Sequence, residues 1–411
     1  MSLFTFDKGI LHFSYINLKD IAQQYGTPCY IYSAEQIVCN LKKWQFALQT
    51  QINTICYAVK ANSNINILRL LHEQGSGFDI VSIGELKRCL IAGSHPSKIV
   101  FSGVGKTKDE IDFAINVGIG SFNVESESEL LQINELAKKN KKIANIALRI
   151  NPNISVKTHP YIATGLESHK FGIGIAKVKP LIEFISKEQF LNLKGIACHL
   201  GSQISEVEPY LSACEQMLQI WQELLSFNLQ PKTLNLGGGF AIRYLNESAL
   251  SAKTWANAVL PLLKDFPLEL IIEPGRSIVG NAGILLTQVL YIKNNGIKNF
   301  AIVDAGNNDF LRPSFYGAEQ NIYEVIVSSD EKRTYDIVGP ICESSDFLAK
   351  NRDLRIKEGD YLAVMDTGAY GFSMSSNYNS RPRAIELLIQ DKKARTIRTR
   401  ETVEELFAKE L

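Results

Sequence analysis

Over the first 280 residues the chain alternates between two hydrophobic patterns. Short runs rich in β-branched and aromatic residues, at 54–59, 78–82, 98–102, 120–124, 145–150, 194–199, 233–236 and 268–273, are bounded by turn residues and read as strands. Between most of them apolar residues recur at three- and four-residue spacings, as in SESELLQINELAKKN after the fourth run and EPYLSACEQMLQIWQELLSF after the sixth. That period is helical. Eight strands alternating with helices predict an α/β chain folded as a (β/α)8 barrel of the TIM type, not an open doubly wound sheet. Beyond about residue 280 the helical period fades, and ILLTQVLYIKN, NFAIVDA, NIYEVIV, TYDIVG, DYLAVMD and RAIELLI follow one another between turn residues. They predict a mostly antiparallel β domain. The expected division is a barrel over 26–280 and a β domain over 281–411. Residues 1–25, which carry ILHFSYINL, are placed to join the second and lend it a strand.

Composition narrows the class of function. At 411 residues the chain exceeds one ordinary core, in keeping with a large domain and a smaller one. Its 44 basic and 43 acidic residues leave it almost neutral, with no electrostatic footprint for nucleic acid or an anionic membrane. A small-molecule partner is expected. The N-terminus lacks a basic stretch followed by an apolar core, and no run of 18 or more apolar residues follows, so a cytoplasmic protein outside the membrane is expected. The seven cysteines, at 29, 39, 56, 89, 198, 214 and 342, form no C-x-x-C pair and indicate neither a disulfide framework nor a metal site.

A barrel collects its chemistry at the C-terminal ends of its strands. The reactive residue types fall there. Lys60 closes the first strand in TICYAVKANSN, Asp79 lies in the second, Arg149 and Asn151 end the fifth, and His199 ends the sixth. GGGF from Gly237 follows the seventh and EPGRS from Glu273 the eighth. Singly each has an ordinary explanation, as a snorkelling lysine, a capping aspartate, a core histidine or a loop glycine. Their convergence on one face points to a site. The glycines allow close backbone approach, and exposed N–H groups after strands seven and eight suit a phosphate. A lysine beside a phosphate cradle suggests pyridoxal 5'-phosphate: the amine forms a Schiff base with the aldehyde, and Glu273 is placed to hold the pyridine nitrogen protonated.

The motifs YAVKAN, HLGSQI, GGGF and EPGRS, followed by GPICESSD and DTGAYGFSMSSNYNSRPR, resemble the alanine-racemase-like class of pyridoxal-phosphate decarboxylases acting on basic amino acids. THPYIATGLESHKFGI, LRPSFYGA and GPICESSD place the resemblance in the diaminopimelate branch, over essentially the whole chain. The resemblance implies that Lys60 carries the cofactor, that His199 stacks on its ring, and that Glu273 pairs with the ring nitrogen. It puts Ser202, Gly238, Gly239, Gly275, Arg276 and Tyr370 around the phosphate, with Asp79 among the cofactor-binding residues. Arg276, Arg312 and Tyr316 would clamp a distal carboxylate, Tyr370 would also line the substrate, and Glu343 would read the distal amino group. Cys342, reaching the site from the partner subunit of a homodimer, would be the acid that reprotonates Cα, and Lys170 would pair with Asp346 across that dimer.

The implied reaction converts meso-2,6-diaminopimelate to L-lysine and carbon dioxide, the last step of lysine biosynthesis. A guanidinium fork suits a carboxylate. Ornithine has no distal carboxylate, so Arg312 and Glu343 argue against ornithine or arginine as substrate; a carboxylated polyamine such as carboxynorspermidine shares most of the machinery. A racemase of this barrel type places arginine at the pyridine nitrogen, which Glu273 disfavours. A non-catalytic regulatory homologue is expected to lack the lysine or the cysteine, and both are present. SVKTHPYIATGLESHK, between strands five and six, reads as a lid or as a plain long connection.

Overall fold

The computed structural model describes residues 3–156, 169–245 and 247–411. The chain forms two compact units, one of residues 39–242 and 248–277, the other of residues 1–38, 243–247 and 278–411.

The first unit is the barrel. In chain order after β1 (Phe4–Asp7), β2 (Ile10–Phe13), β3 (Ile16–Asn17) and β4 (Cys29–Ser33) of the other unit come β5 (Asn53–Ala58), β6 (Gly77–Ile80), β7 (Ile99–Phe101), β8 (Ser121–Val124), β9 (Ala144–Asn151), the short β10 (Ile173–Gly174), β11 (Leu191–Ala197), β12 (Thr233–Asn235) and β13 (Glu269–Ile272). Strands β5 to β9 and β11 to β13 pair in parallel around a closed ring, with Ile272 of β13 beside Ile55 of β5 completing the circuit. All eight strands read from the sequence are present, each within three residues of its expected ends. Strands β6, β7, β8 and β12 are buried at every position, as a parallel sheet covered on both faces requires, which is why they read as continuous apolar runs.

Helices enter at capping residues. Asn64, Ser82, Thr107 and Ser126 each accept a backbone N–H from the first turn of the following helix, and Thr107 with Glu110 forms a full capping box. The helix Glu208–Ser226 buries Tyr210, Cys214, Met217, Trp221 and Leu224, the helical stripe visible in its sequence. Tyr210, Phe240, Trp44 and Trp255 form one aromatic cluster, with ring centroids 4.1 to 5.9 Å apart. From it the Tyr210 hydroxyl donates to the Gly238 carbonyl at 2.9 Å, tying the core to the glycine loop.

The second unit is a mostly antiparallel sheet. Its strands are β4, β14 (Gly283–Asn294), β15 (Asn299–Val303), β16 (Ile322–Glu324), β17 (Arg333–Val338), β18 (Phe347–Leu354), β19 (Tyr361–Val364), β20 (Ile385–Gln390) and β21 (Lys393–Arg398). The main path runs β18-β17-β15-β14-β4-β20-β21, and β19 joins β14 to β16. Among the described residues of this unit, only β15 with β17 and β4 with β20 run parallel. Residues 1–25 group with this unit: they form the small sheet β1-β2-β3, whose β2 bridges to the segment after β16, with Ile10 opposite Ile326, the Leu11 N–H donating to the Val325 carbonyl and the Val327 N–H to the Gly9 carbonyl. The boundary differs from the expected one, because Cys29–Ser33 is also a strand of this unit, so residues 26–38 belong to it and the barrel unit opens at Cys39. The reason is burial: CYIYS is covered at all five positions between β14 and β20, among Ile284, Leu286 and Leu387. A buried acid is compensated in the same sheet, where Glu386 accepts from the Tyr32 hydroxyl and from Arg398.

Candidate active site

Lys60 does not close a strand. β5 ends at Ala58, and Lys60 is the middle residue of a single 3-10 turn, Val59–Ala61. The Ala58 N–H donates to the Pro274 carbonyl, in line with the pairing of β5 with β13, and past it the Tyr57 hydroxyl donates to the Asn62 carbonyl and pins the turn. The lysine side chain is 35 % exposed at the barrel mouth and its ammonium donates to Asp79 Oδ2 at 2.7 Å. Asp79, in β6, is fully buried, and its Oδ1 has no hydrogen-bond partner among the described residues.

Glu273 follows β13 and is 6 % exposed. Its Oε1 accepts from Asn123 Nδ2 at 3.1 Å and from Asn235 Nδ2 at 2.5 Å. Burial, reinforced by the Asp79 carboxylate, pushes its pKa up from 4.5 to about 7, against the pull of Lys60 and Asn235. His199 lies two residues past β11. Burial first, then the charges of Arg149 and Lys60, holds its imidazole well below the usual range, so it is neutral, and Nδ1 accepts the Gly238 N–H at 3.1 Å. Ser202 accepts from Arg276 Nη2 at 2.8 Å, and the Gly239 carbonyl accepts the Ile204 N–H. Gly275 is pressed between Ala58 and Ala61, where a Cβ would stand 3.1 Å from each methyl carbon.

Lys60, Asp79, His199, Ser202, Gly238, Gly239, Glu273, Gly275 and Arg276 therefore all belong to the barrel unit, at or just beyond strand ends. Arg149 serves another purpose. It pairs with Glu125, which also accepts the Gly103 and Gly172 N–H groups, and it lies over the Phe171 ring. Asn151 holds the same segment by donating to the Phe171 carbonyl. Lys170 lies over Phe171. Most of the expected lid, residues 157–168, lies outside the described residues.

The remaining expected residues belong to the β unit. Arg312 is buried with its guanidinium over the rings of Tyr244 and Tyr316. Tyr370 has a left-handed backbone, φ 56°. Cys342, Glu343 and Asp346 share one loop. The Cys342 thiol is exposed and its N–H donates to Asn379 Oδ1. Glu343 is exposed and accepts from Ser345. Within the chain the Asp346 carboxylate accepts the Asn307 and Ile341 N–H groups at 2.6 Å each, which closes the loop on itself.

Asn123 and Asn235 were not singled out by sequence reasoning. A signal existed: SFNV and TLN each set one amide inside a fully buried strand.

The donor set fits pyridoxal phosphate: a primary amine accessible at the mouth, a buried carboxylate opposite a barrel strand, and glycine-rich turns after β12 and β13 beside a serine and an arginine. The raised pKa of Glu273 gives a test that needs no cofactor. Between pH 4.5 and about 7 the folded chain keeps a proton on Glu273 that the unfolded chain has released, so its burial costs stability increasingly as pH rises through that window. In cofactor-free protein, Glu273→Gln is expected to raise the thermal midpoint by a few degrees at pH 8 and to leave it almost unchanged at pH 5. Melting curves at both pH values check this; an equal shift at both would contradict it.

Residues 34–280 match the family described as pyridoxal-dependent decarboxylase, pyridoxal binding domain. The chain is 45 % identical to the diaminopimelate decarboxylase of Haemophilus influenzae over 412 aligned residues, covering 100 % of this chain and 99 % of that protein. The crystal structure of diaminopimelate decarboxylase from Helicobacter pylori complexed with L-lysine superposes with a TM-score of 0.93 at 43 % identity, over 96 % of this chain and 99 % of that one. The corresponding complex with L-lysine from M. jannaschii gives 0.95 at 37 % identity, over 99 % and 97 %. With its fold, its lysine and buried carboxylates at the barrel mouth, and these full-length likenesses, the chain belongs to the diaminopimelate decarboxylase family of pyridoxal-dependent decarboxylases.

Proposed function

We propose that the chain decarboxylates meso-2,6-diaminopimelate to L-lysine and carbon dioxide with pyridoxal 5'-phosphate as cofactor, at the last step of lysine biosynthesis. The observation that carries this reading is the pairing of Lys60 with Asp79 at the barrel mouth, in a chain 45 % identical end to end to a diaminopimelate decarboxylase. Bound pyridoxal phosphate supplies the electron sink for the pair left when the Cα–carboxylate bond breaks.

The chain's own residues do the rest. Lys60 would hold the cofactor through its aldehyde, and Asp79 would partner the charge of the lysine whenever its amine is free. Neutral His199 would pack against the ring, Glu273 would keep the ring nitrogen protonated, and Ser202, Arg276, Tyr370 and the backbone of Gly238, Gly239 and Gly275 would take the phosphate. Arg312 and Tyr316, with Arg276, bind the distal carboxylate, Tyr370 lines the substrate, and Glu343 takes the distal amino group. Cys342, the exposed thiol of a closed loop, delivers the proton to Cα from the second subunit of a homodimer, in which Lys170 faces Asp346. The protein works in the cytoplasm.

Carbon dioxide release from carboxyl-labelled meso-diaminopimelate, ornithine and arginine tests the reading. Release from diaminopimelate alone is expected; release from ornithine or arginine instead would sink the assignment of Arg312 and Glu343. Arg312→Lys keeps the charge and loses the planar fork, so KM for diaminopimelate is expected to rise about tenfold with kcat changed little. An unchanged KM would remove Arg312 from the substrate's distal end.

A further inference from the structure

We propose that Asn123 and Asn235 are positioning residues that hold one oxygen of Glu273 so that the other is kept for the cofactor's ring nitrogen, a proposal that rests on the reading of Glu273 given above. Both amides donate to the same oxygen, Oε1, and among the described residues no hydrogen bond reaches Oε2. The two amides come from different directions. β12, which ends in Asn235, is the immediate neighbour of β13, whereas β8, which carries Asn123, stands four strands from β13 whichever way the ring is followed. Asn123 therefore reaches Glu273 through the barrel interior, and the carboxylate is held from its own side and from across the ring. Each asparagine is 2 % exposed, so neither amide has bulk water as an alternative partner.

The orientation of Asn235 is fixed independently. Its Oδ1 accepts the Gly237 N–H at 2.8 Å, which leaves only its NH2 to face Glu273 and links the carboxylate to the glycine loop. Asn123 is steadied in turn by donating to Ser102 Oγ at 2.9 Å. Two N–H donors on one oxygen favour the carboxylate anion. They oppose burial and Asp79, which favour the protonated acid, and a protonated ring nitrogen needs the anion as its partner. The other ionisable groups bearing on Glu273 are Lys60 and Arg149, which act in the same sense as the amides.

Asn235→Ala removes the donor that faces Glu273 without setting a second buried carboxyl beside it, and with it the acceptor for Gly237. Asn123→Ala, which leaves the glycine loop untouched, is the second arm. The full-length protein is stripped of cofactor and titrated with pyridoxal phosphate, reading affinity and the absorption band of the bound form, for each variant alone and combined with Glu273→Gln. The thermal midpoint of each cofactor-free protein is recorded beside it.

Each asparagine variant is expected to weaken cofactor binding by about tenfold and to shift the band. In the Glu273→Gln background the same substitutions are expected to change affinity by less than about twofold, since the group through which they act is already altered. Equal losses in both backgrounds, or losses that only follow the thermal midpoint, would overturn the positioning role while leaving Glu273 at the ring nitrogen. A Glu273→Gln protein with unchanged affinity and band would overturn the reading of Glu273, and the positioning role with it.

Discussion

Lys60→Ala is expected to lower carbon dioxide release from meso-diaminopimelate by roughly 10⁴-fold or more, since no other amine replaces the one that bonds the aldehyde. The structure adds a complication that the experiment has to separate. The lysine ammonium is the one group bonded to the Asp79 carboxylate, whose other oxygen has no partner among the described residues. Truncation therefore also strands a buried acid, and some loss could come from the fold. Lys60→Arg divides the two effects: the guanidinium keeps a positive charge beside Asp79 but does not form a Schiff base. The expected result is a protein as thermally stable as the wild type and as inactive as Lys60→Ala. Borohydride reduction of the wild type should fix the cofactor on the peptide containing Lys60, read as a mass increase, and neither variant should show it. Substantial turnover by Lys60→Arg would mean that the residue is only the partner of Asp79.

That lysine also marks how far the sequence could be read. Strands such as GFDI and IVF are legible because both faces of a parallel barrel are buried, so a run of apolar residues has no other place to go. The turn that carries Lys60 is not legible at that resolution. Val59 continues the apolar alternation, yet it already belongs to the turn, which the Tyr57 hydroxyl pins by its bond to the Asn62 carbonyl, a contact the apolar pattern does not show. β18 and β21, with FLAKNRDL and KARTIR, were missed for the opposite reason: their exposed faces carry charges that hide the alternation. Cys29–Ser33 was passed over because nothing local says which unit buries it. Site residues at strand ends could be found one by one through their chemistry, whereas Asn123 and Asn235 acquire a role only once the ring closes and brings β8 to face β13.

Gly238→Ala is the second large effect, and it follows from space alone. A Cβ at position 238 would stand 2.0 Å from the carbonyl oxygen of Glu273 and 2.9 Å from its carbonyl carbon. Neither atom can yield as a side-chain tip would, because both are main chain at the end of β13. To reach ordinary contact the loop after β12 must move away from Glu273 by about 1 Å or more. That movement breaks several bonds at once. The Glu273 N–H donates to the Gly237 carbonyl at 2.8 Å, the Gly238 N–H donates to His199, and the Gly238 carbonyl accepts from Tyr210. Asn235, which spans from the Gly237 N–H to the Glu273 carboxylate, is displaced from one end or the other. We therefore expect a stability loss of about 1–3 kcal/mol in denaturant unfolding, together with loss of cofactor retention, because the carboxylate, the imidazole and the glycine loop shift together. Gly105→Ala is the control: it lies in the same unit, a Cβ there meets nothing within 4 Å, and its expected effect is within about 0.5 kcal/mol with cofactor retained. If Gly238→Ala kept the wild-type midpoint and bound pyridoxal phosphate normally, β12 and β13 would not approach as closely as the fold requires, and the proposed cradle between their turns would have to be abandoned.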